Sequence, residues 1–182
     1  TNFANLGDGT PAKLYNSTDK GVIDVQMGLL QQAGFDGVAI QRNAPVGKAL
    51  KNTATEDYYV NIKNACEATG RLFYVMYCMP DINNGDGLSA DLVAGIKRDW
   101  VFQMEQIYAL TSSGAYATVN GKPVVELWGL GYSTISVDRL QALELAQFFK
   151  DRGCYVIAGT PRDWRLRNGG SRTDFEDVYK AY

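Results

Sequence analysis

The chain has 182 residues, of which 46% are apolar and 21% are charged, and its formal net charge is −2. This length and composition predict a single globular domain over residues 1–182 with a sizeable core, and they exclude an intrinsically disordered chain. No basic run stands out, and no apolar run is long enough to cross a bilayer. We therefore expect neither nucleic acid nor a membrane as a partner.

Histidine is absent from the sequence, which excludes Ser-His-Asp and Cys-His catalysis and imidazole ligands for a metal. Any acid–base chemistry therefore falls to carboxylates, tyrosine, lysine or cysteine. The cysteines, Cys66, Cys78 and Cys154, lack the spacing of metal ligands, and their odd number leaves at least one thiol free. We expect no metal and no cofactor, and we interpret Cys78 as an ordinary small apolar residue.

After an irregular segment, the sequence predicts four successive units, each a helix followed by a strand. The predicted helices span 19–33, 56–69, 90–110 and 137–152, and the strands that follow them span 35–41, 72–78, 124–128 and 154–159. A glycine closes the first, second and fourth helices, at Gly34, Gly70 and Gly153. A last helix is predicted near the C-terminus.

Polar residues that precede the helical patterns predict the helix N-caps. The first cap is expected within 17–19, and Ser89 and Ser136 are expected to cap the third and fourth helices. Thr173 and Glu176 have the spacing of a capping box for the last helix.

Regular alternation of helices and apolar strands predicts an α/β fold with parallel strands and right-handed crossovers. In such sheets ligands bind at the carboxyl ends of the strands. The residues expected at these ends are polar or aromatic, and they are Gln41, Arg42, Asn43, Tyr77, Cys78, Asp81, Glu126, Trp128, Tyr132, Thr160, Arg162, Asp163 and Trp164. No phosphate-binding glycine motif follows any of the predicted strands.

The third predicted strand carries the strongest functional signal. Val124, Glu126 and Trp128 share one of its faces because side chains alternate along a strand. A carboxylate inside a buried strand destabilises the fold unless it is paired with another group or serves a function such as catalysis. An indole at the strand end is suited to stacking on a sugar. The alternative is that Trp128 is ordinary core and that Glu126 is a structural carboxylate neutralised by a basic residue, for which Arg42 is the candidate.

Glycoside hydrolysis needs two carboxyl groups about 5–5.5 Å apart for retention of configuration, or roughly 6.5–9.5 Å apart for inversion. We select Glu126 and Asp81 as the candidate catalytic pair, although Asp81 also suits a turn. Asp163 is a further acidic candidate, and its alternative role is a local ion pair with a neighbouring arginine. The candidate sugar-binding residues are Gln41, Arg42, Tyr77, Trp128, Arg162, Asp163 and Trp164.

Five segments together resemble the glycoside hydrolase family 71/99-like proteins, some of which are xylosidase/arabinosidase-like. The segments are TPAKLYNSTD, GFDGVAIQR, GRLFYVMYCM, GKPVVELWGLGY and GCYVIAGTPRDWR, and they are colinear over almost the whole chain. The resemblance implies a (β/α)8 TIM-barrel type of fold. A full barrel needs about 250 residues. The resemblance therefore implies a partial barrel of about four parallel strands, the central part of a larger barrel that further segments of the same polypeptide or another chain would complete.

The resemblance also implies hydrolysis of the glycosidic bonds of a polysaccharide or glycan by carboxylate acid–base chemistry, in an extracellular or periplasmic setting. Relatives usually carry Asp at the position of Cys78 and commonly a small residue at that of Glu126, so the resemblance supplies no specific catalytic pair. Two alternatives stay open. One is a non-catalytic carbohydrate-binding relative, and the other is an open α/β domain of four or five strands that binds a small ligand or a partner.

Overall fold

The computed structural model describes residues 5–12, 15–44, 58–79, 92–166 and 168–182. In chain order the elements are α1 (Lys20–Gln32), β1 (Gly37–Asn43), α2 (Tyr58–Thr69), β2 (Leu72–Cys78), α3 (Leu92–Asp99), a π-helical segment (Trp100–Ile107), β3 (Thr118–Val119), β4 (Lys122–Trp128), α4 (Arg139–Asp151), β5 (Tyr155–Gly159) and α5 (Glu176–Ala181).

Four of the strands form a parallel sheet in the order β1, β2, β4, β5. The two-residue β3 pairs antiparallel with the start of β4. The predicted α/β class with parallel strands is therefore confirmed. Gly34, Gly70 and Gly153 follow their helices with φ of 77°, 64° and 76°, a left-handed conformation that glycine adopts at no steric cost.

Two of the predicted helix caps are wrong. Asp138, not Ser136, caps α4, because its side chain and that of Gln141 form a reciprocal capping box with the backbone. The predicted capping box of Thr173 and Glu176 is also absent: α5 begins after Phe175, which makes no side-chain cap bond and is fully buried. The first helix is capped by Asp19, within the predicted segment. Ser89 lies outside the described residues.

The long third helix changes its winding at Trp100. Its first part is the α-helix α3, and the next eight residues form a π-helix, in which the Tyr108 N–H donates to the carbonyl of Gln103, five residues back. Trp100 and Met104 are both fully buried. The sequence pattern predicted one regular helix and did not predict this π-helical segment.

The core lies between the helices and one face of the sheet. Strand residues of this face are Ile40, Phe73, Val75, Tyr77, Val125, Leu127 and Val156, and the helix residues that join them include Ile23, Cys66, Ile96, Trp100, Leu145 and Phe149. Within the described residues, no helix combines the length and the apolar character needed to cross a membrane.

The opposite face of the sheet, which we call the open face, is exposed to solvent at some positions and half-buried at others. Its members include Ala39, Gln41 and Asn43 of β1, Tyr74, Met76 and Cys78 of β2, Val124, Glu126 and Trp128 of β4, and Tyr155, Ile157 and Gly159 of β5. Only Val124 among them is buried.

Candidate functional site

Glu126 lies near the centre of the open face. The strand register aligns it with Met76 of β2 and with Ile157 of β5, while Gln41 is aligned with Met76 from the other side. The last aligned row contains Cys78 and Trp128, at the carboxyl ends of β2 and β4. The predicted residues Gln41, Glu126 and Trp128 therefore share the open face.

A tyrosine holds the Glu126 carboxylate. The Tyr74 hydroxyl donates a hydrogen bond of 2.8 Å to Oε2 of the half-buried Glu126. Burial, and secondly the hydrogen bond and charge of Glu126, raise the pKa of Tyr74 to about 12. The hydroxyl therefore stays protonated and remains a donor at neutral pH. Sequence reasoning missed Tyr74, although its place on the same face of the adjacent strand could have indicated it.

Arg42 does not neutralise Glu126, and this expectation was wrong. Its guanidinium donates to both carboxylate oxygens of Asp99, at 2.6 and 2.5 Å, and to the hydroxyl of Tyr59 at 2.9 Å. Burial opposes the charged guanidinium, but the hydrogen bonds and charge of Asp99 outweigh it and raise the pKa of Arg42. The physical reason for the error is that β1 extends to Asn43, so strand alternation turns Arg42 towards the helices.

Tyr77 belongs to the same buried network. Its hydroxyl donates to Asp99 at 2.7 Å, and burial, with the charge of Asp99 as the second cause, holds the pKa of Tyr77 well above its usual value. Asp99 itself is fully buried. The structure thus places Arg42 and Tyr77, both expected to bind sugar, on the face of the sheet opposite to Glu126.

Trp128 is 39% exposed at the carboxyl end of β4 and stacks on Tyr132, with ring centroids 5.6 Å apart and planes 28° apart. The indole lies against the backbone of β5: a Cβ at Gly159 would come within 2.6 Å of the indole Cδ1. Glycine at 159 is therefore needed for the indole to occupy this position. The result is a pair of stacked rings in which Trp128 is exposed and Tyr132 is half-buried.

A second pair of aromatic rings contacts the loop after β4. The rings of Trp164 and Tyr179 are 5.0 Å apart, and the Tyr179 hydroxyl approaches Gly131 so closely that a Cβ there would lie 2.1 Å from it. Gly131 directly precedes Tyr132, so it connects the two pairs. We call Trp128, Tyr132, Trp164 and Tyr179 the aromatic cluster. Tyr179 comes from α5, and no local pattern in the sequence indicated its role.

The remaining acidic candidates do not join Glu126. Asp163 contacts Arg162 through a 3.5 Å pair, and the Arg162 side chain is 94% exposed. A pair of this length and exposure contributes little. Asp81 lies outside the described residues. Among the described residues of the open face, Glu126 is the one carboxylate, and no group of three acidic, cysteine or histidine side chains in the described ranges could hold a metal ion.

Comparisons with models of protein families, with curated proteins and with solved structures give no match to this chain. The functional interpretation therefore depends on the geometry of the open face and on its chemistry.

Proposed function

We propose that the chain is a glycoside hydrolase-like protein that binds a glycan chain across the open face. The observation that carries this proposal is the position of Glu126 on the same strand face as Trp128, two residues before it, with Tyr74 donating to the carboxylate and Tyr132 stacked on the indole. An accessible aromatic ring offers the apolar face that pyranose C–H groups contact, and a fixed carboxylate beside it is the group that glycoside hydrolysis uses.

The order of the strands supports a barrel-type architecture of the (β/α)8 kind. Parallel strands that follow one another in sequence order, with crossovers of one hand, place all their helices on one face. A doubly wound sheet reverses its strand order and covers both faces with helices. Here the parallel strands follow in chain order and the core lies on one face only, so we propose that the open face is the inner surface of a partial barrel.

Glu126 is placed to act as the general base or nucleophile rather than as the acid. The Tyr74 hydroxyl donates to its carboxylate, which makes that oxygen an acceptor rather than a donor. The general acid must then come from elsewhere. Asp81, three residues beyond the end of β2, is our candidate for this role, and this function would place the protein where polysaccharides occur, outside the cytoplasm.

A non-catalytic carbohydrate-binding protein is the second candidate. The observation in its favour is that Cys78 occupies the position beside Trp128 at the carboxyl end of β2, while Glu126 has no carboxylate neighbour among the described residues of the open face. Such a protein would keep the aromatic cluster and the affinity for glycans but would lack turnover.

Hydrolysis and binding assays on a panel of α- and β-linked glycans separate the two candidates. Glu126→Gln should abolish turnover and leave glycan affinity nearly unchanged, while Glu144→Gln, an exposed residue of α4, is the matched control and should change neither. Binding without turnover, lost in Trp128→Ala, would indicate the non-catalytic protein. No binding to any glycan of the panel would refute both.

A further inference from the structure

The carboxylate of Glu126 has a single partner among the residues that the structure describes. This partner is the Tyr74 hydroxyl, 2.8 Å from Oε2, and no described residue donates to Oε1 or forms an ion pair with the carboxylate. The terminal torsion of a glutamate side chain is broad and has no sharply preferred value. The one hydrogen bond therefore decides how the plane of the carboxylate is turned, and it leaves Oε1 to meet a substrate.

The backbone beside Tyr74 is fixed by a buried side chain that lies between two strands. The ladder of β2 and β4 begins at Val75. Next to it, the hydroxyl of the buried Tyr116 accepts from the Val75 N–H at 3.3 Å and donates to the Val124 carbonyl at 2.8 Å. Tyr74 directly precedes this point. Because its backbone is held on a rigid element, its side chain can hold the Glu126 carboxylate in one orientation.

The hydroxyl of Tyr74 is suited to hold a carboxylate rather than to exchange a proton with it. Burial, and secondly the hydrogen bond and charge of Glu126, raise the pKa of Tyr74 to about 12. A general acid or base works best when its pKa lies near the working pH. At neutral pH the hydroxyl therefore donates its hydrogen bond to Glu126 and keeps its proton.

We infer that Tyr74 is a positioning residue for the proposed hydrolysis, which binds Oε2 of Glu126 and so presents Oε1 to the glycan stacked on Trp128. This role rests on the proposed function, since it needs Glu126 to act as base or nucleophile. A reacting group must be held within about 0.5 Å of its productive position. Without the hydroxyl, Glu126 would stay on the open face but would be free to turn, while the aromatic surface that binds glycan would be unchanged.

Tyr155 offers a matched control on the neighbouring strand. It lies on the open face of β5, in register with Val124, which is two residues before Glu126. Tyr74 lies at the same level of β2, so the two tyrosines flank this position from opposite sides. Within the described part of the chain, only Tyr74 donates to the Glu126 carboxylate. Tyr155→Phe therefore removes the same atom as Tyr74→Phe without removing a bond to Glu126.

Steady-state hydrolysis and equilibrium binding, measured on the glycan that the wild type hydrolyses fastest, test this role. We expect Tyr74→Phe to lower kcat about tenfold to a hundredfold, while KM and the glycan affinity change by less than about twofold. Tyr155→Phe should change none of these quantities. Assays run well below the Tm of each variant separate the effect from a loss of folded protein. A tyrosine with a purely structural role would leave kcat unchanged under these conditions.

An unchanged kcat in Tyr74→Phe, beside a wild type that hydrolyses glycan, would overturn the inference and leave the proposed function intact. A loss that appears in KM alone would also overturn it, because it would place Tyr74 in substrate binding. So would an equal loss of kcat in Tyr155→Phe. A wild type that binds glycan without turnover would refute the hydrolase, and the role of Tyr74 would fall with it.

Discussion

The buried ion pair of Arg42 and Asp99 gives the sharpest prediction for stability. Asp99 is fully buried and accepts hydrogen bonds from both Arg42 and Tyr77. Asp99→Ala would leave a buried guanidinium without its carboxylate, and breaking a buried pair in this way costs about 3 to 5 kcal/mol of unfolding free energy. In a chain of this size each kcal/mol lowers the Tm by roughly 2 to 4 °C, so we expect a fall of roughly 6 to 20 °C.

Urea unfolding followed by far-UV circular dichroism measures the effect as a shift in the midpoint at an unchanged m-value. The matched control is Asp177→Ala, which breaks an exposed pair with Arg139 and should leave the midpoint nearly unchanged. The double variant Arg42→Met/Asp99→Leu should recover part of the loss, because neither charge is then buried alone. A loss in Asp99→Ala no larger than that of the control would refute the reasoning.

Three further predictions concern the open face and the core. Gly159→Ala should displace the indole of Trp128, because the added Cβ would lie 2.6 Å from Cδ1, and we expect a shift of Trp fluorescence and a loss of glycan affinity of about tenfold or more. Burial and the Glu126 carboxylate raise the pKa of Tyr74 to about 12. The stabilisation that the protonated Tyr74 hydroxyl contributes is therefore complete below pH 10 and is lost between about pH 10 and 12. Spectrophotometric titration of tyrosinate absorbance should show the ionisation of Tyr74 as a late step. Burial raises the pKa values of Cys66 and Cys154 to about 11, so both thiols should react slowly with a thiol reagent at pH 8 in the native state and rapidly in urea.

Each of these predictions has its own control. Gly114→Ala, with no atom within 4 Å of the added Cβ, should change neither fluorescence nor affinity. Glu126→Gln should shift the late tyrosine step to lower pH by removing the carboxylate charge, while burial keeps the pKa of Tyr74 above its usual value. Equal effects of the two glycine variants, or native-state reaction of Cys66 as fast as in urea, would contradict the structure.

The alternation of helices and strands was predictable because three of the four predicted helix–strand units have a glycine directly after the helix, and every unit contains an apolar run of strand length. Strand alternation also placed Glu126 and Trp128 on one face, and the structure confirms this. The pairing of Arg42 was not predictable. Its partner Asp99 lies 57 residues away on another element, and the pattern gave no signal that β1 continues to Asn43.

The aromatic cluster shows what local patterns cannot supply. Trp164 was expected near the strand ends and lies in a turn after β5, but its neighbour Tyr179 lies on α5 and approaches the loop after β4 only in the folded chain. The helix caps failed for a related reason: Ser136 and Asp138 are equally good caps in sequence, and the reciprocal bond from Gln141 decides for Asp138.

The central claim is that the open face binds carbohydrate, and the indole signals of the three tryptophans test it directly in ¹H–¹⁵N NMR spectra during titration with the glycan panel. Trp128 is exposed on that face, whereas Trp100 is fully buried with its Nε1–H bonded to Glu105, so Trp100 serves as an internal control. We predict that a binding glycan shifts the Trp128 signal in a saturable manner and leaves the Trp100 signal unchanged. Binding that leaves the Trp128 signal unmoved, or the absence of any shift across the panel, would contradict the claim.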